Sequence, residues 1–148
     1  MSIHITSNTR SLYVRPTSRE QLQSIIRSEL ERQGLDADLN FIDTSEITDM
    51  SKLFSGLGIR NIKIDEWDVS NVTDMSYMFS YCRNFNADLS CWDVSNVRKM
   101  YYMFCECRRL NSDLSVWDTR NLIGIIGMFD NCRALDTSKL NWPQLRPF

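Results

Sequence analysis

The sequence is poor in the residues that most catalytic and metal sites need. It contains one histidine, His4, in 148 residues, and no GxSxG, HExxH or P-loop motif. Catalysis by a nucleophile or a metal usually needs a histidine paired with a cysteine or a carboxylate, and the sequence shows no such pairing. We therefore expect a protein that is not an enzyme, without metal or other cofactor, in which His4 is structural.

Long apolar runs and a dominant charge are also missing. No run approaches the roughly 20 apolar residues that a membrane helix needs, and the first 20 residues lack the apolar core of a signal peptide. The formal net charge of −2 argues against a general binder of nucleic acid or anionic membranes. These absences predict a cytoplasmic protein with neither kind of partner.

The cysteines do not suit a disulfide scaffold. There are five, an odd number, and Cys82, Cys107 and Cys132 are spaced 25 residues apart. That spacing favours a stacked column of small buried side chains. Zinc is the alternative, but Cys105 and Cys107 are closer together than the usual ligand pair and only one histidine is present.

What the sequence does contain is a repeat of 25 residues. Beside the cysteines, three further columns keep this step: Trp67, Trp92, Trp117 and Trp142; Phe54, Phe79, Phe104 and Phe129; Asp43, Asp68, Asp93 and Asp118. A period of this length indicates one supersecondary unit per copy, which is stable only when it is stacked on its neighbours.

The second copy, WDVSNVTDMSYMFSYCRNFNADLSC, predicts a turn, a short helix and a strand. From Val72 to Cys82 the apolar residues follow one another at spacings of three, three, one and three, which is typical of one helix face. Residues 88 to 92 have room for a short strand. Stacked copies would then form a parallel ladder with strands about 4.8 Å apart.

Two polar columns fit this interpretation. The short polar side chains that precede the predicted helix would cap its first turn. Among them are Asp68 and its equivalents Asp93 and Asp118. A second column would form a ladder of side-chain amides that bond to the backbone of the next coil: Asn71, Asn96 and Asn121.

The residues before the repeats predict an N-terminal cap. A helix over residues 17–33 has one apolar stripe, a capping box at its start and Gly34 as its stop, and residues 3 to 14 suggest edge strands. The predicted organisation is a cap over residues 1–41 and a repeat region over residues 42–148 with a short C-terminal cap, in one structural domain. Because little covers the C-terminal end, a homodimer through that end stays open.

The repeated pattern WDVSN-V-x-x-M-x-x-MF-x-x-C resembles the bacterial BspA-like leucine-rich-repeat family, in its mycoplasma-lipoprotein-type variant. The resemblance covers roughly residues 39–142. It implies an α/β fold, a leucine-rich-repeat-like solenoid of about four 25-residue strand-turn-helix coils with an N-terminal helical cap. It also implies protein recognition, often in adhesion at cell surfaces, and no catalytic residues.

Columns that vary between copies can carry information about a partner. The predicted partner-binding residues are Tyr77, Tyr81, Tyr101, Tyr102, Arg83, Arg108, Arg109 and Arg133. Tyrosine and arginine are enriched among interface hot spots.

Each varying column also has a structural alternative. The tyrosines could be partly buried between neighbouring coils. The arginines could form a solvated edge, paired with Asp88, Asp113 and Glu106. A third varying column lies in the predicted strand, where ordinary drift is the alternative: Glu66, Cys91 and Val116.

The predicted function is a non-enzymatic protein–protein interaction module that presents a rigid repeat surface. Two other functions stay open. One is a small inhibitor, carried by a phage or another mobile element, that blocks a host enzyme or defence complex. The other is an adhesin-like binder of host matrix proteins.

Overall fold

The computed structural model describes residues 2–5 and 12–145. Its first regular elements are two strands, β1 (Ser2–Ile5) and β2 (Leu12–Arg15), which pair in antiparallel register with His4 opposite Tyr13. Part of the predicted edge-strand region, residues 6–11, lies outside the described residues.

One α-helix follows the strands, α1 (Arg19–Gln33). The Ser18 side chain caps its start by accepting a hydrogen bond from the backbone N–H of Gln21, as expected of an N-cap serine. The helix ends at Gly34, whose φ of 89° favours glycine. Leu22 and Ile26 are fully buried, so the helix packs one face into the core.

The predicted solenoid of strand-turn-helix coils is wrong, and with it the helical cap on such coils. Within the described residues, α1 is the only α-helix, and the repeats contain turns, isolated bridges and two 3-10 helices, Thr137–Lys139 and Pro143–Leu145. The stretch predicted as a helix cannot be one, because Tyr77 and Tyr81 have φ values of 60° and 62°, outside the right-handed helical region. Residues 88 to 92, predicted as a strand, form none.

Consecutive turns take the place of the predicted helix. Three N–H groups, those of Met78, Ser80 and Cys82, donate to the carbonyl three residues earlier, which is the bond of a β-turn. The alternate N–H groups donate at 2.7 to 3.0 Å to carbonyls of the following repeat: Met75 to Lys99, Tyr77 to Tyr101, Phe79 to Met103 and Tyr81 to Cys105. Two of the three-residue steps that suggested a helix, Met75 to Met78 and Phe79 to Cys82, are therefore each the span of one turn.

The core consists of like residues stacked on one another. The rings of Phe54, Phe79, Phe104 and Phe129 stack with successive centroids 5.3, 5.7 and 6.3 Å apart. The indole N–H groups of Trp67, Trp92 and Trp117 each donate at 2.9 Å to a carbonyl of the preceding repeat. The buried residues of α1 belong to the same core as the repeats, and the predicted domain boundary at residue 41 stays a prediction.

The aspartate column forms turns of its own. The Oδ1 atoms of Asp68, Asp93 and Asp118 accept a hydrogen bond from the backbone N–H two residues later, at 3.0 to 3.1 Å. These are Asx turns, and since no helix follows them, the predicted helix-capping role is wrong.

The asparagine column is a ladder, as predicted. The Nδ2 atoms of Asn71, Asn96 and Asn121 donate at 2.7 to 2.8 Å to the carbonyls of Ser45, Ser70 and Ser95. The acceptor lies in the preceding repeat, where the sequence had suggested the next one.

Candidate interaction surface

Four residues 25 apart form a column with positive φ, which we call the tyrosine column: Lys52, Tyr77, Tyr102 and Gly127, with φ of 60°, 60°, 52° and 67°. The rings of Tyr77 and Tyr102 stack with centroids 5.2 Å apart. The Lys52 Nζ lies 5.9 Å from the centroid of the Tyr77 ring, within cation–π range. The Tyr102 ring lies against the backbone of Gly127, where a Cβ would overlap it. The column is therefore a continuous stack across four repeats.

Tyr101 lies apart from this column. Its ring covers Gly124 of the following repeat, in the space that a Cβ there would need, and the residue is half-buried. Tyr101 and Tyr102 are partly buried between repeats, as the structural alternative predicted. Tyr77 is 38% exposed.

Tyr81 belongs to a second column with positive φ: Gly56, Tyr81, Glu106 and Asn131, with φ of 70°, 62°, 65° and 58°. Its side chain is 58% exposed and makes no ring contact or hydrogen bond with any described residue. A residue other than glycine or asparagine loses roughly 1–2 kcal/mol in this conformation. No stacking or hydrogen bond of the Tyr81 ring offsets that cost.

Among the predicted arginines, Arg108 has a partner. Its Nη2 lies 2.9 Å from Oε2 of Glu106, and the Asn131 amide donates to the other carboxylate oxygen of Glu106 at 2.6 Å. The hydrogen bond from Asn131, with the charges of Arg108 and Arg83, holds the pKa of the Glu106 carboxyl below its usual value. Glu106 therefore stays ionised and anchors Arg108.

The other three arginines are exposed and have no ion pair among the described residues: Arg83, Arg109 and Arg133. Of the predicted pairings, that of Arg108 with Glu106 forms. Those with Asp88 and Asp113 do not form among the described residues, where these carboxylates accept hydrogen bonds from Ser90 and Ser115. The remaining arginine side chains can reach a partner.

The third varying column is exposed at every position: Glu66, Cys91 and Val116. Glu66 borders an acidic groove that sequence reasoning missed. Two openings of about 470 Å³ share Asn40 and Glu66, and their lining includes six acidic and two basic residues: Asp38, Asp43, Asp65, Glu66, Asp68 and Asp88, against Arg15 and Lys63. Two pairs of acids at multiples of the repeat step were the signal that could have shown it: Asp43 and Asp68, 25 residues apart, and Asp38 and Asp88, 50 residues apart.

Metal-ligand clusters and membrane-spanning helices are absent from the described part of the chain. There, no three His, Cys, Asp or Glu side chains are placed to hold a metal ion. No helix between residues 12 and 145 has the length and apolar character needed to cross a bilayer. The absence of enzymatic activity and the cytoplasmic location stay predictions.

Comparison with known proteins gives one match. Neither a curated protein nor a solved structure matches this chain, but one protein-family model matches residues 23–142, which include most of α1 and all the described repeats up to Trp142. This match confirms the prediction, made from the sequence, that the chain is similar to a mycoplasma repeat family. The chain belongs to the family described as Mycoplasma protein of unknown function, DUF285.

Proposed function

We propose that the chain is a non-enzymatic protein-binding module of the BspA-like repeat type, in which outward tyrosines anchor a partner protein. One observation carries the proposal. Tyr81 holds an aromatic ring 58% exposed on a backbone with φ of 62°, and that ring neither stacks on nor hydrogen-bonds to a described residue.

The backbone conformation at Tyr81 separates a functional role from a structural one. The same column contains Gly56 and Asn131, which adopt positive φ more readily, and Glu106, whose carboxylate is bonded to Arg108 and Asn131. The fold therefore does not need tyrosine at this position, and tyrosine lowers the stability of the folded chain. Residues in strained conformations concentrate at functional sites, which supports a partner outside the chain as the reason for the ring.

The surroundings of Tyr81 suit an interface. The exposed Tyr77 ring and the exposed Arg83 lie four residues before and two residues after it, and tyrosine and arginine are enriched among hot spots. The backbone beneath them is held at every second residue, since the N–H groups of Tyr77 and Tyr81 donate to the next repeat at 2.8 and 2.7 Å. A surface fixed in this way loses little conformational entropy on binding.

The proposal is tested by measuring binding and stability on the same variants. Tyr81→Asn relieves the backbone strain and removes the ring, so we expect a protein at least as stable as wild type that loses its partner. Partners are captured from a lysate of the source organism with wild-type and variant baits and quantified by mass spectrometry.

The matched control is Gly56→Asn, which places the same side chain in the same positive-φ column one repeat earlier, where nothing lies within 4 Å of the position of a Cβ. A partner retained by wild type and by the control, but reduced at least about tenfold with Tyr81→Asn, supports the proposal. The unfolding transition of each bait verifies that the bait is folded. Identical capture by all three folded baits would contradict the proposal.

A further inference from the structure

Four arginines follow the buried cysteines of successive repeats. Arg83, Arg108 and Arg133 are 25 residues apart, each directly after a cysteine of the buried column, and Arg109 follows Arg108. We call these four residues the arginine row. Three of them are exposed, and Arg108 is half-buried.

The stacking of the repeats brings the positive charges of the row close together. Just before the row, the N–H of Tyr81 donates to the carbonyl of Cys105 at 2.7 Å, and the N–H of Glu106 donates to the carbonyl of Asp130 at 2.8 Å. Chain segments that are bonded in this way lie about 4.8 Å apart. Equivalent arginines of neighbouring repeats therefore start about one such step apart, and their like charges repel each other.

Little negative charge within the chain offsets this repulsion. Glu106 forms an ion pair with Arg108, with 2.9 Å between Oε2 and Nη2. Asp130 is exposed, three residues before Arg133, and forms no ion pair with a described arginine. The charges of the other three members of the row are left for a molecule outside the chain.

Elsewhere the fold supplies partners for its arginines. Four arginines outside the row each have a carboxylate oxygen at 2.6 to 2.8 Å: Arg15, Arg32, Arg60 and Arg120. Five described arginines have neither an ion pair nor a side-chain hydrogen bond with a described residue: Arg27, Arg83, Arg98, Arg109 and Arg133. Since three of these five belong to the row, unpaired positive charge is concentrated there.

The arginine row lies beside the exposed Tyr81 ring. Glu106 occupies, one repeat later, the position of Tyr81 in the second positive-φ column. The hydrogen bond from Asn131 and the charges of Arg108 and Arg83 lower the pKa of the Glu106 carboxyl. Arg83 therefore acts on the side chain that neighbours Tyr81, and a molecule that contacts the Tyr81 ring also meets the row.

We infer that the partner at Tyr81 presents a segment rich in aspartate and glutamate to the arginine row. The inference rests on the proposed function and names the chemistry of its partner. A guanidinium group can donate two parallel hydrogen bonds to one carboxylate, and an apolar side chain of the same segment packs on the Tyr81 ring. Nucleic acid fits less well, because its regularly spaced phosphates would also meet Glu106 and Asp130. The homodimer predicted through the C-terminal end stays a prediction.

Binding of a synthetic acidic peptide to the intact protein tests the inference. The probe is a fluorescent peptide of repeated Glu-Glu-Leu units, which supplies carboxylates for the row and leucine for Tyr81. We expect a Kd below about 1 mM for the wild type, and a higher Kd as added salt screens the charges. Two control probes of the same length, a Gln-Gln-Leu peptide and oligothymidine, should each bind at least about tenfold more weakly.

Two double variants show whether the row is the site. Arg83→Gln/Arg133→Gln removes two charges of the row and should raise the Kd for the acidic peptide at least about tenfold. The matched control is Arg27→Gln/Arg98→Gln, which removes two exposed arginines outside the row and changes the net charge equally. It should raise the Kd less than about twofold. The unfolding transition of each variant verifies that it is folded.

Four outcomes would overturn the inference. They are no binding of the acidic peptide at about 1 mM; unchanged binding by Arg83→Gln/Arg133→Gln; an equal loss of binding in both double variants; and binding of the Gln-Gln-Leu peptide or of oligothymidine as tight as that of the acidic peptide.

The variant Tyr81→Asn separates this inference from the proposed function. If Tyr81→Asn keeps the acidic peptide and its lysate partner while Arg83→Gln/Arg133→Gln loses the peptide, the proposed role of Tyr81 fails and the row is supported as a site for an acidic segment. If Tyr81→Asn loses its lysate partner while Arg83→Gln/Arg133→Gln keeps the peptide, the inference fails and the proposed function stands.

Discussion

The ring of Tyr102 occupies the space in which a Cβ at Gly127 would stand. Gly127 also has a φ of 67°, so two separate demands favour glycine there. Three other glycines meet one demand each, among them Gly34, whose φ is 89°. Gly124 lies under the Tyr101 ring without a positive φ, and Gly56 has a φ of 70° with nothing within 4 Å of the place where its Cβ would stand.

Alanine substitutions at these glycines should separate the two effects. Gly56→Ala should lower the free energy of unfolding by about 1 kcal/mol, from backbone conformation alone. Gly124→Ala should lower it by about 1 kcal/mol by displacing a ring, and Gly127→Ala should lose most. Urea unfolding measures all three, with Gly58→Ala as the control, since its nearest neighbour would be 3.7 Å away. A Gly127→Ala protein as stable as Gly56→Ala would show that the Tyr102 ring moves without cost.

Tyr81→Asn should raise the free energy of unfolding by about 1 kcal/mol, because asparagine tolerates positive φ better than tyrosine. The comparison variant is Tyr77→Asn, which relieves the same strain but loses the stack on Tyr102, worth about 0.5–1.5 kcal/mol. We therefore expect little net change for Tyr77→Asn. A less stable Tyr81→Asn protein would mean that the exposed ring has a structural contact.

The cysteine column should be unreactive in the folded protein. The thiols of Cys82, Cys107 and Cys132 donate to the carbonyls of phenylalanines in the preceding repeat at 2.9 to 3.1 Å. Burial raises the pKa of the Cys82 and Cys132 thiols to about 12 and raises that of Cys107 as well. Since the thiolate is the reactive form, a thiol reagent at pH 8 should label the exposed Cys91 rapidly and the column only after unfolding. Cys105 is half-buried and lies outside the column, so rapid labelling that persists in the double variant Cys91→Ser/Cys105→Ser would contradict this.

The same thiols should make stability fall at alkaline pH. A pKa raised from the ordinary 9.0 to about 12 means that folded Cys82 holds a proton which the unfolded chain releases. The contribution of this thiol to stability is therefore constant below pH 9 and decreases between pH 9 and 12, by at most about 1.4 kcal/mol per pH unit. Unfolding measured across this range should give a shallower slope for Cys82→Ser than for Cys91→Ser. Equal slopes would show that the buried thiol does not control the transition.

The asparagine ladder should contribute measurably to stability. Asn96→Ala removes the bond from Nδ2 to the Ser70 carbonyl, which is 2.7 Å long, and should cost about 1 kcal/mol. Asn96→Asp should cost more, since a carboxylate oxygen would then face the carbonyl. Asn84→Ala is the control because Asn84 is exposed and makes no hydrogen bond with the described residues. If Asn96→Ala and Asn84→Ala unfold at the same urea concentration, the ladder has no net effect.

Much of the packing could be predicted from the sequence. Residues that recur at 25-residue steps stack on one another, as the rings of Phe79 and Phe104 do, because a repeated unit buries the same face in each copy. A helix was expected over residues 17–33 and α1 lies at Arg19–Gln33. Composition and periodicity carry this information because burial depends on which side chains are apolar.

Only part of the candidate surface could be predicted from the sequence. Tyr77 and Tyr81 stood out as varying positions, but their positive φ did not, although Gly56, Gly127 and Asn131 in the same columns were a signal of it. Comparing columns for residues that favour positive φ would have separated Tyr81 from the half-buried Tyr101. The acidic groove could be identified only from the structure, because the residues that line it come from several repeats.

The sequence by itself determined the period, the buried columns and the residues that vary. It could not choose between a helix and consecutive turns, because both place apolar residues three positions apart. The choice was made by bonds such as that from the Tyr77 N–H to the Tyr101 carbonyl. Such bonds join residues 24 positions apart, and only the stacked repeats bring those residues together. The tertiary structure therefore decided the backbone conformation, and with it the outward direction of the tyrosines.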